Sequence, residues 1–453
     1  ASCIVGMLEE ALQSLLTGEI QLEDMPPVLF TPGFRTKLRD VKDFKSRLEP
    51  PRPMGRSVAM ADAVEQMLSN PVMEVFNQMA KDGATGSKCM LKYRVNKMNR
   101  SWRTMGQRVS SSRTAVEFDW GQFDFNRTEK EIQFAVEVIC ECFEPSGPEE
   151  KMLVAMFRQC ASTWYKGVKY VMPDGGAFEL QTQVPSGVSL TSAIDSIINS
   201  VAVVCVMASE GISYRQYEYN AGGDDSLLLT QRKLDFEWSI LQEKLNLWFG
   251  ANIKAGEFKV FEGYKLVKRF QAKFPAGVDI SKGTGEIVDK ADWVEIEGRP
   301  IEDKANGMSH RTRYGCKETP SFYGCHWLKD FKPIKMVDDS RSKLLFPESI
   351  VNTTELYVMS LISSAIDNLN NENWVNQVKQ RFLIIKQVEL WSAEYKPTLV
   401  LRFMANLRRE TDNKTCFPNI AYWRREGVWF DLEKDMFLKY WSDKFDDLMT
   451  TCM

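Results

Sequence analysis

The sequence predicts an α+β fold, in which short strands and separate long helices share one chain. Three observations carry it. Two short apolar runs, Arg215 to Ala221 and Ser226 to Thr230, are joined through Gly222-Gly223 and read as a β-hairpin. A further strand-like run, Val116 to Asp119, precedes a helical pattern from Thr128 to about Phe143. Helical patterns also cover Leu190 to about Ala208 and, rich in tryptophan, much of the chain from Ser349.

At 453 residues the chain can bury a large core and hold more than one subdomain. Its 44% hydrophobic and 26% charged content is that of an ordinary globular protein. A net charge of −3 carries no global nucleic-acid signature, so any such binding has to come from local basic tracts. The most apolar window, Ala193 to Ala208, is interrupted by Asp195, Ser196, Asn199 and Ser200, so no membrane span is expected. Ten scattered cysteines fit a reducing compartment better than a disulfide scaffold. His310, Cys316, Cys325 and His326 form the one cluster of zinc-ligand types. The sequence neighbours Cys325 and His326 cannot easily hold one tetrahedral ion together, which disfavours that site. The chain starts at Ala1 rather than Met, and is read as a fragment or a processed product.

In chain order, an amphipathic helix is expected over Ile4 to Leu16. A basic stretch follows, with Arg35, Lys37, Arg39, Lys42, Lys45, Arg47, Arg52 and Arg56 against three acids. Pro50, Pro51 and Pro53 hold its second half extended. Such a strand suits a triphosphate as well as it suits plain solvent. Ala59 to Ala80 reads as two helices broken at Asn70-Pro71. A second basic tract, Lys88 to Arg113, interleaves Tyr93 and Trp102 with its charges, a composition suited to single-stranded nucleic acid. Lys233 to Phe249 is predicted helical, 256–259 and 262–270 are predicted strands, and Ser281 to Gly307 is predicted irregular.

The hairpin turn delivers Asp224 and Asp225 side by side. Adjacent carboxylates repel each other, an arrangement that makes sense where divalent cations with a preference for hard oxygen are expected. A lone Gly-Asp-Asp is also an ordinary acidic turn, so other residues have to support it. Asp119, at a strand end, is a candidate further ligand, and Asp124 lies one turn away. Ser186-Gly187 forms a flexible entry to the next helix. Thr191, Asp195 and Asn199 then line one helical face that needs polar partners, from a ligand hydroxyl or from the core.

Taken together, these stretches resemble the ordered motif set of viral RNA-dependent RNA polymerases over about Lys37 to Phe270. Phe118-Asp119 to Asp124 resembles motif A. Ser186-Gly187 with Thr191 resembles motif B, and Gly223-Asp224-Asp225 motif C. Leu266 to Phe270 resembles motif E, and the basic Lys37 to Arg56 stretch motif F. Many positive-strand virus polymerases carry Asn where this chain has Asp195. The run Ser192 to Asn199 is instead similar to the partitivirus and picobirnavirus group.

The resemblance implies a right-hand polymerase with an antiparallel palm sheet of RNA-recognition-motif type. Residues 1–115 and 145–184 would form fingers, 116–144 and 185–280 palm, and 281–453 a helical thumb. It implies template-directed RNA synthesis with Mg²⁺, or Mn²⁺, held by Asp119, Asp224 and Asp225. Arg52, Arg56 and Lys45 would bind the triphosphate. Asp124, Ser186, Gly187, Thr191 and Asp195 would surround the nucleotide and its ribose. Lys259, with Lys254 as rival, would protonate pyrophosphate, and Lys268 and Arg269 would grip the primer strand. The implied partners are RNA template, nascent RNA, ribonucleoside triphosphates, and capsid or other replication proteins. The implied place is the host cytoplasm or the virion interior. Two rivals are a reverse transcriptase, opposed by Gly222-Gly223 and Asp124, and a non-catalytic RNA-binding or capsid-associated protein, which would not need the three aspartates together.

Overall fold

The computed structural model describes residues 2–36, 55–271 and 292–295 apart from short gaps, part of 319–335, and isolated positions as far as 381. The chain divides into two compact units. One comprises Ala1–Arg35, Met54–Val95 and Ser111–Gly298; the other comprises Thr36–Pro53, Asn96–Ser110 and Arg299–Met453. Helices and sheets are mixed, as the α+β expectation requires.

The first unit opens with α1 (Ser2–Thr17), β1 (Leu29–Thr36), β2 (Gly55–Ala61) and α2 (Ala63–Gly83). The predicted break at Asn70-Pro71 does not occur, because α2 runs through Pro71. An internal proline costs about 3 kcal/mol, but Leu68, Val72, Met73, Phe76 and Ala80 bury one face of this helix and hold it together. The stretch just before it, predicted helical from Ala59, is strand.

After α3 (Arg100–Ser111) come β3 (Thr114–Gly121), α4 (Glu129–Glu141), α5 (Pro148–Tyr165), β4 (Val168–Val171) and β5 (Ala177–Leu180). Thr128 caps α4 in a reciprocal capping box with Glu131, which explains why the helix starts where it was expected. Next are α6 (Thr191–Ser209), β6 (Tyr217–Gly222), β7 (Asp225–Thr230), α7 (Trp238–Phe249), β8 (Asn252–Ile253), β9 (Lys259–Glu262), β10 (Lys265–Gln271) and β11 (Asp292–Glu295). Helix α7 begins five residues later than expected and ends on Gly250 at φ 59°, a left-handed cap that glycine takes without a Cβ clash. Strand β11 lies inside the stretch predicted irregular, where it pairs with β10.

Two sheets result in this unit. A four-stranded sheet has the order β2-β1-β4-β5. The larger has the order β11-β10-β9-β3-β7-β6, every neighbouring pair antiparallel, with β8 added at the end of β3. Alternation along β3 sends Val116, Phe118 and Trp120 into the core shared with Ile132, Val136 and Ile139 of α4 and Ile194 and Ile197 of α6. Glu117 and Asp119 fall on the opposite face of the sheet.

In the second unit, α3 accompanies a small antiparallel sheet of β12 (Ser321–Phe322), β13 (Cys325–Trp327) and β14 (Pro333–Ile334). Trp102 is fully buried and stacks on Trp327 at 4.5 Å between ring centroids, and the Trp327 indole donates to the Trp102 carbonyl at 3.1 Å. Trp102 is therefore a core residue rather than a platform for bases. Tyr93, its companion in the predicted nucleic-acid tract, donates its hydroxyl to Asn77 in the first unit. Lys92 of the same tract is buried there too, its ammonium on the carbonyls of Ala84 and Gly86 just past the end of α2.

Candidate active site

The hairpin β6–β7 closes through Gly223 and Asp224, since Gly222 and Asp225 are its last paired residues. Gly223 has φ 66°, the positive value that two-residue hairpin turns demand at their first position. Asp224 thus sits in the turn itself, and Asp225 is the first residue of β7. Across the sheet, Asp119 is the register partner of Asp225. Partners directly opposite in an antiparallel pair share a face with Cα atoms about 4.5–5.5 Å apart. All three aspartates are half-buried at one end of the central strands.

Helix α6 crosses this hairpin with its polar residues toward it. Ser196 Oγ accepts from the Gly223 amide at 2.8 Å, and Asn199 Nδ2 donates to the Gly223 carbonyl at 2.9 Å. Asn199 also donates to Ser226 Oγ at 3.0 Å and accepts from the Tyr219 hydroxyl at 2.6 Å. Burial pushes the Tyr219 phenol far up, so it stays a neutral donor. The length and hydropathy of α6 are those of a membrane-crossing segment, which the sequence reading did not expect. The helix is nevertheless a core element, with 67% of that window buried and its polar face engaged by the hairpin.

Asp124 lies in a 3-10 turn, Phe123–Asn126. Arg127 locks that turn. Its fully buried guanidinium donates to the carbonyls of Phe123 (3.1 Å) and Phe249 (2.9 Å) and to Glu131 (3.2 Å), and lies over the Phe123 ring. The backbone carbonyl of Asp124 accepts from the amide of Val184 at 2.9 Å. Asp195 reaches across from α6 and hydrogen-bonds with Asp124. Burial, then the negative charges of Asp124 and Asp224, push the Asp195 carboxyl well above the usual carboxylate range, with Arg127 opposing. The Oδ1 of Asp195 is buried with no hydrogen-bond partner among the protein atoms.

The loop entering α6 is tied on both sides. The carbonyl of Ser186 accepts from the amide of Ala59 on β2 at 2.7 Å, and the Thr191 hydroxyl donates to the carbonyl of Pro185 at 2.6 Å. Gly187 has φ 110°, and a Cβ there would stand 2.7 Å from Val58 Cγ1 and 2.9 Å from the Ala59 carbonyl. Only glycine fits so close an approach of two backbones. The single Thr191 proton is thus committed to the loop and not to a ligand.

Lys259 lies opposite Glu117 in the sheet and donates to it at 2.7 Å, and to Glu257 at 3.1 Å. Its ammonium is held by carboxylates rather than free in a cleft. The backbone of Arg56 belongs to β2, and those of Lys268 and Arg269 to β10. Lys45, Arg52 and Lys254 lie outside the described residues, as do His310 and Cys316. Cys325 and His326 are consecutive on β13, where alternation turns them to opposite faces, and His326 Nδ1 meets the Thr319 hydroxyl at 3.0 Å.

Among the described residues, no three carboxylate, imidazole or thiolate side chains close around one ion by themselves. The donor set still fits Mg²⁺, which is commonly held by one or two carboxylates with substrate phosphates and water completing its octahedron. Asp119 and Asp225, on one face at the sheet end, with Asp224 in the turn, are such a set.

Sequence reasoning passed over Ser196, Tyr219, Arg127 and Glu117. For Ser196 and Asn199 a signal existed, since their i, i+3 spacing puts them on one helical face. Arg127 follows Asp124 by three residues but carried no marker of burial.

A family model described as viral RNA-dependent RNA polymerase matches residues 30–270, from β1 to the end of β10. Comparison with curated proteins finds no match.

Proposed function

Because this chain belongs to the viral RNA-dependent RNA polymerase family and performs template-directed RNA synthesis, we propose that its catalytic centre stands where β3 and β7 bring Asp119 opposite Asp225, beside the Asp224 turn. This juxtaposition is the observation that carries the reading. Asp119 and Asp224 hold the divalent metals that the family uses, and Asp225 assists. When bound, the pair neutralises the triphosphate and stabilises the entering and leaving oxygens of an in-line displacement.

The chain's own residues supply the rest. Arg56, with Arg52 and Lys45, clamps the triphosphate by charge-assisted hydrogen bonds. Asp124, backed by Asp195, faces the ribose, while Ser186, Gly187 and Thr191 shape the loop beside it. Thr191 does so by holding the Pro185 carbonyl. Lys268 and Arg269 on β10 contact the growing strand. Lys259 can protonate pyrophosphate only by leaving Glu117, which makes Lys254 a serious alternative for that step. In right-hand terms, the antiparallel sheet is the palm, residues 1–115 and 145–184 are fingers, and 281–453 the thumb. The motif B run supports a kinship with the partitivirus and picobirnavirus group, with action in host cytoplasm or inside the virion and capsid proteins as neighbours.

Primer extension on homopolymer RNA, with Mg²⁺ and then Mn²⁺, tests the centre. Asp224→Ala and Asp119→Ala should each abolish nucleotide incorporation while template RNA still binds. Incorporation retained in either variant would sink the assignment, and incorporation on RNA of deoxynucleotides alone would point to a reverse transcriptase.

A further inference from the structure

Gly223 is bound by helix α6 on both sides of its backbone. Its amide donates to Ser196 Oγ and its carbonyl accepts from Asn199 Nδ2, at 2.8 and 2.9 Å. Asn199 is held in turn. Its Oδ1 accepts from the buried Tyr219 hydroxyl, and its second amide proton goes to Ser226 Oγ. Tyr219 and Ser226 flank the turn on the two strands of the hairpin, so the helix grips β6, the turn and β7 at once.

A two-residue turn needs no such support to close. Strand pairing on either side already fixes its ends, through Ala221 with Ser226 and Gly222 with Asp225. What pairing leaves free is the peptide plane between the ends, because Gly223 has no side chain to restrict it. That plane sets where the next residue, Asp224, sends its carboxylate. Asp195, one residue before Ser196 on the same helix, lies against Asp124 and within electrostatic reach of Asp224.

We infer that Ser196 and Asn199 are positioning residues for Asp224, fixing the metal-binding turn at a set distance from the Asp124–Asp195 pair. The inference rests on the reading of Asp224 as a metal ligand. Helix α6 then acts as a spacer between the residues that meet the ribose and the residue that meets the metal. Ser196 itself is oriented by donating to the Ser192 carbonyl at 2.6 Å, which leaves its oxygen to accept from Gly223.

The test uses the full chain and Mn²⁺ as probe, followed by its paramagnetic resonance signal. Ser196→Ala removes the acceptor at little cost to the helix, since alanine is the better helix former. Asn199→Asp keeps the acceptor for Tyr219 but loses both donors. The expected results are Mn²⁺ binding about two- to tenfold weaker, the scale of one lost hydrogen bond, and faster hydrogen exchange at the Gly223 amide in Ser196→Ala. The turnover number should fall with nucleotide KM and RNA affinity unchanged, and Ser196→Thr, which keeps a hydroxyl, should restore both metal binding and turnover. Unchanged Mn²⁺ affinity in Ser196→Ala and Asn199→Asp, while Asp224→Asn weakens it, would overturn the positioning role alone. Unchanged affinity in Asp224→Asn would instead remove the reading of Asp224 as a ligand. A fall in melting temperature with Mn²⁺ affinity per folded molecule intact would also overturn the inference, leaving the network a packing feature.

Discussion

Lys259 stands opposite Glu117 in the sheet register, and its ammonium donates to that carboxylate at 2.7 Å. Burial by itself would lower the lysine pKa. Glu117 and Glu257 more than offset it, so the pKa is raised. A group whose folded pKa lies above its unfolded one contributes stability that is complete below the unfolded value and lost as pH rises through the folded value. Thermal stability should therefore be insensitive to this pair from pH 7 to about 10, the ordinary lysine range, and decline above it. In Glu117→Gln the burial effect gains weight and the folded pKa falls toward the unfolded one, so the decline above about pH 10 should shrink or vanish. Melting curves of both proteins from about pH 7 to above 10 check this, and a decline of equal size in the two would mean that the groups are not coupled.

Gly187 provides a second prediction. At φ 110° any side chain is strained, by about 1–3 kcal/mol, and a Cβ would also press on Val58 and the Ala59 carbonyl. Gly187→Ala should lower the melting temperature by several degrees and raise the nucleotide KM several-fold, because the loop at Ser186 has to part from β2. Adding Val58→Ala relieves one contact but not the carbonyl, so recovery should be partial. A Gly187→Ala enzyme with wild-type stability and KM would show that the approach is not tight in solution.

Much of this was legible beforehand because it rests on local rules. The hairpin follows from glycines between two apolar runs, and α4 from the helical pattern that begins at Thr128. Motif order leads one to expect Asp119 beside the hairpin acids, and the sheet register pairs it with Asp225. What escaped depends on tertiary partners. Trp102 and Lys92 look like surface residues in a basic tract, and only the fold puts one against Trp327 and the other on helix-end carbonyls. Pro71 breaks helices on average, but here the buried face of α2 outweighs it. The sequence leaves the partner of the Thr191 hydroxyl open between a ligand and the core, because the Pro185 carbonyl that accepts from it belongs to a loop whose path no periodicity reveals.

The third prediction concerns β2. Arg56 lies three residues before Ala59, where the strand is tied to the Ser186 loop. If this strand carries the triphosphate, Arg56→Ala should raise nucleotide KM roughly tenfold, the loss of one charge-assisted hydrogen bond, and leave RNA affinity unchanged. Arg52→Ala should behave alike. Filter binding and steady-state kinetics separate the cases, and a loss confined to RNA binding would assign the stretch to the template path.

The last prediction follows from the carboxyl pair. Asp195 is buried and hydrogen-bonded with Asp124, the more exposed of the two, and burial pushes its carboxyl toward the protonated, donor form. If Asp195 donates to Asp124, it aims that carboxylate to accept from the 2′-hydroxyl. A deoxynucleotide would leave the Asp124 acceptor unpaired, at a cost of about 1–3 kcal/mol, or roughly five- to a hundredfold in selectivity. Asp195→Ala should reduce the preference for ribonucleotides by up to that factor. Asp195→Asn should keep most of it, because a neutral amide donates to Asp124 as the protonated acid does. Since both residues act through one contact, Asp124→Ala with Asp195→Ala should be little worse than Asp124→Ala alone. Competition between matched ribo- and deoxynucleotides in single-turnover extension measures the ratio. If Asp195→Ala slows both substrates equally and lowers the melting temperature, the pair only braces the core, and ribose selection lies elsewhere.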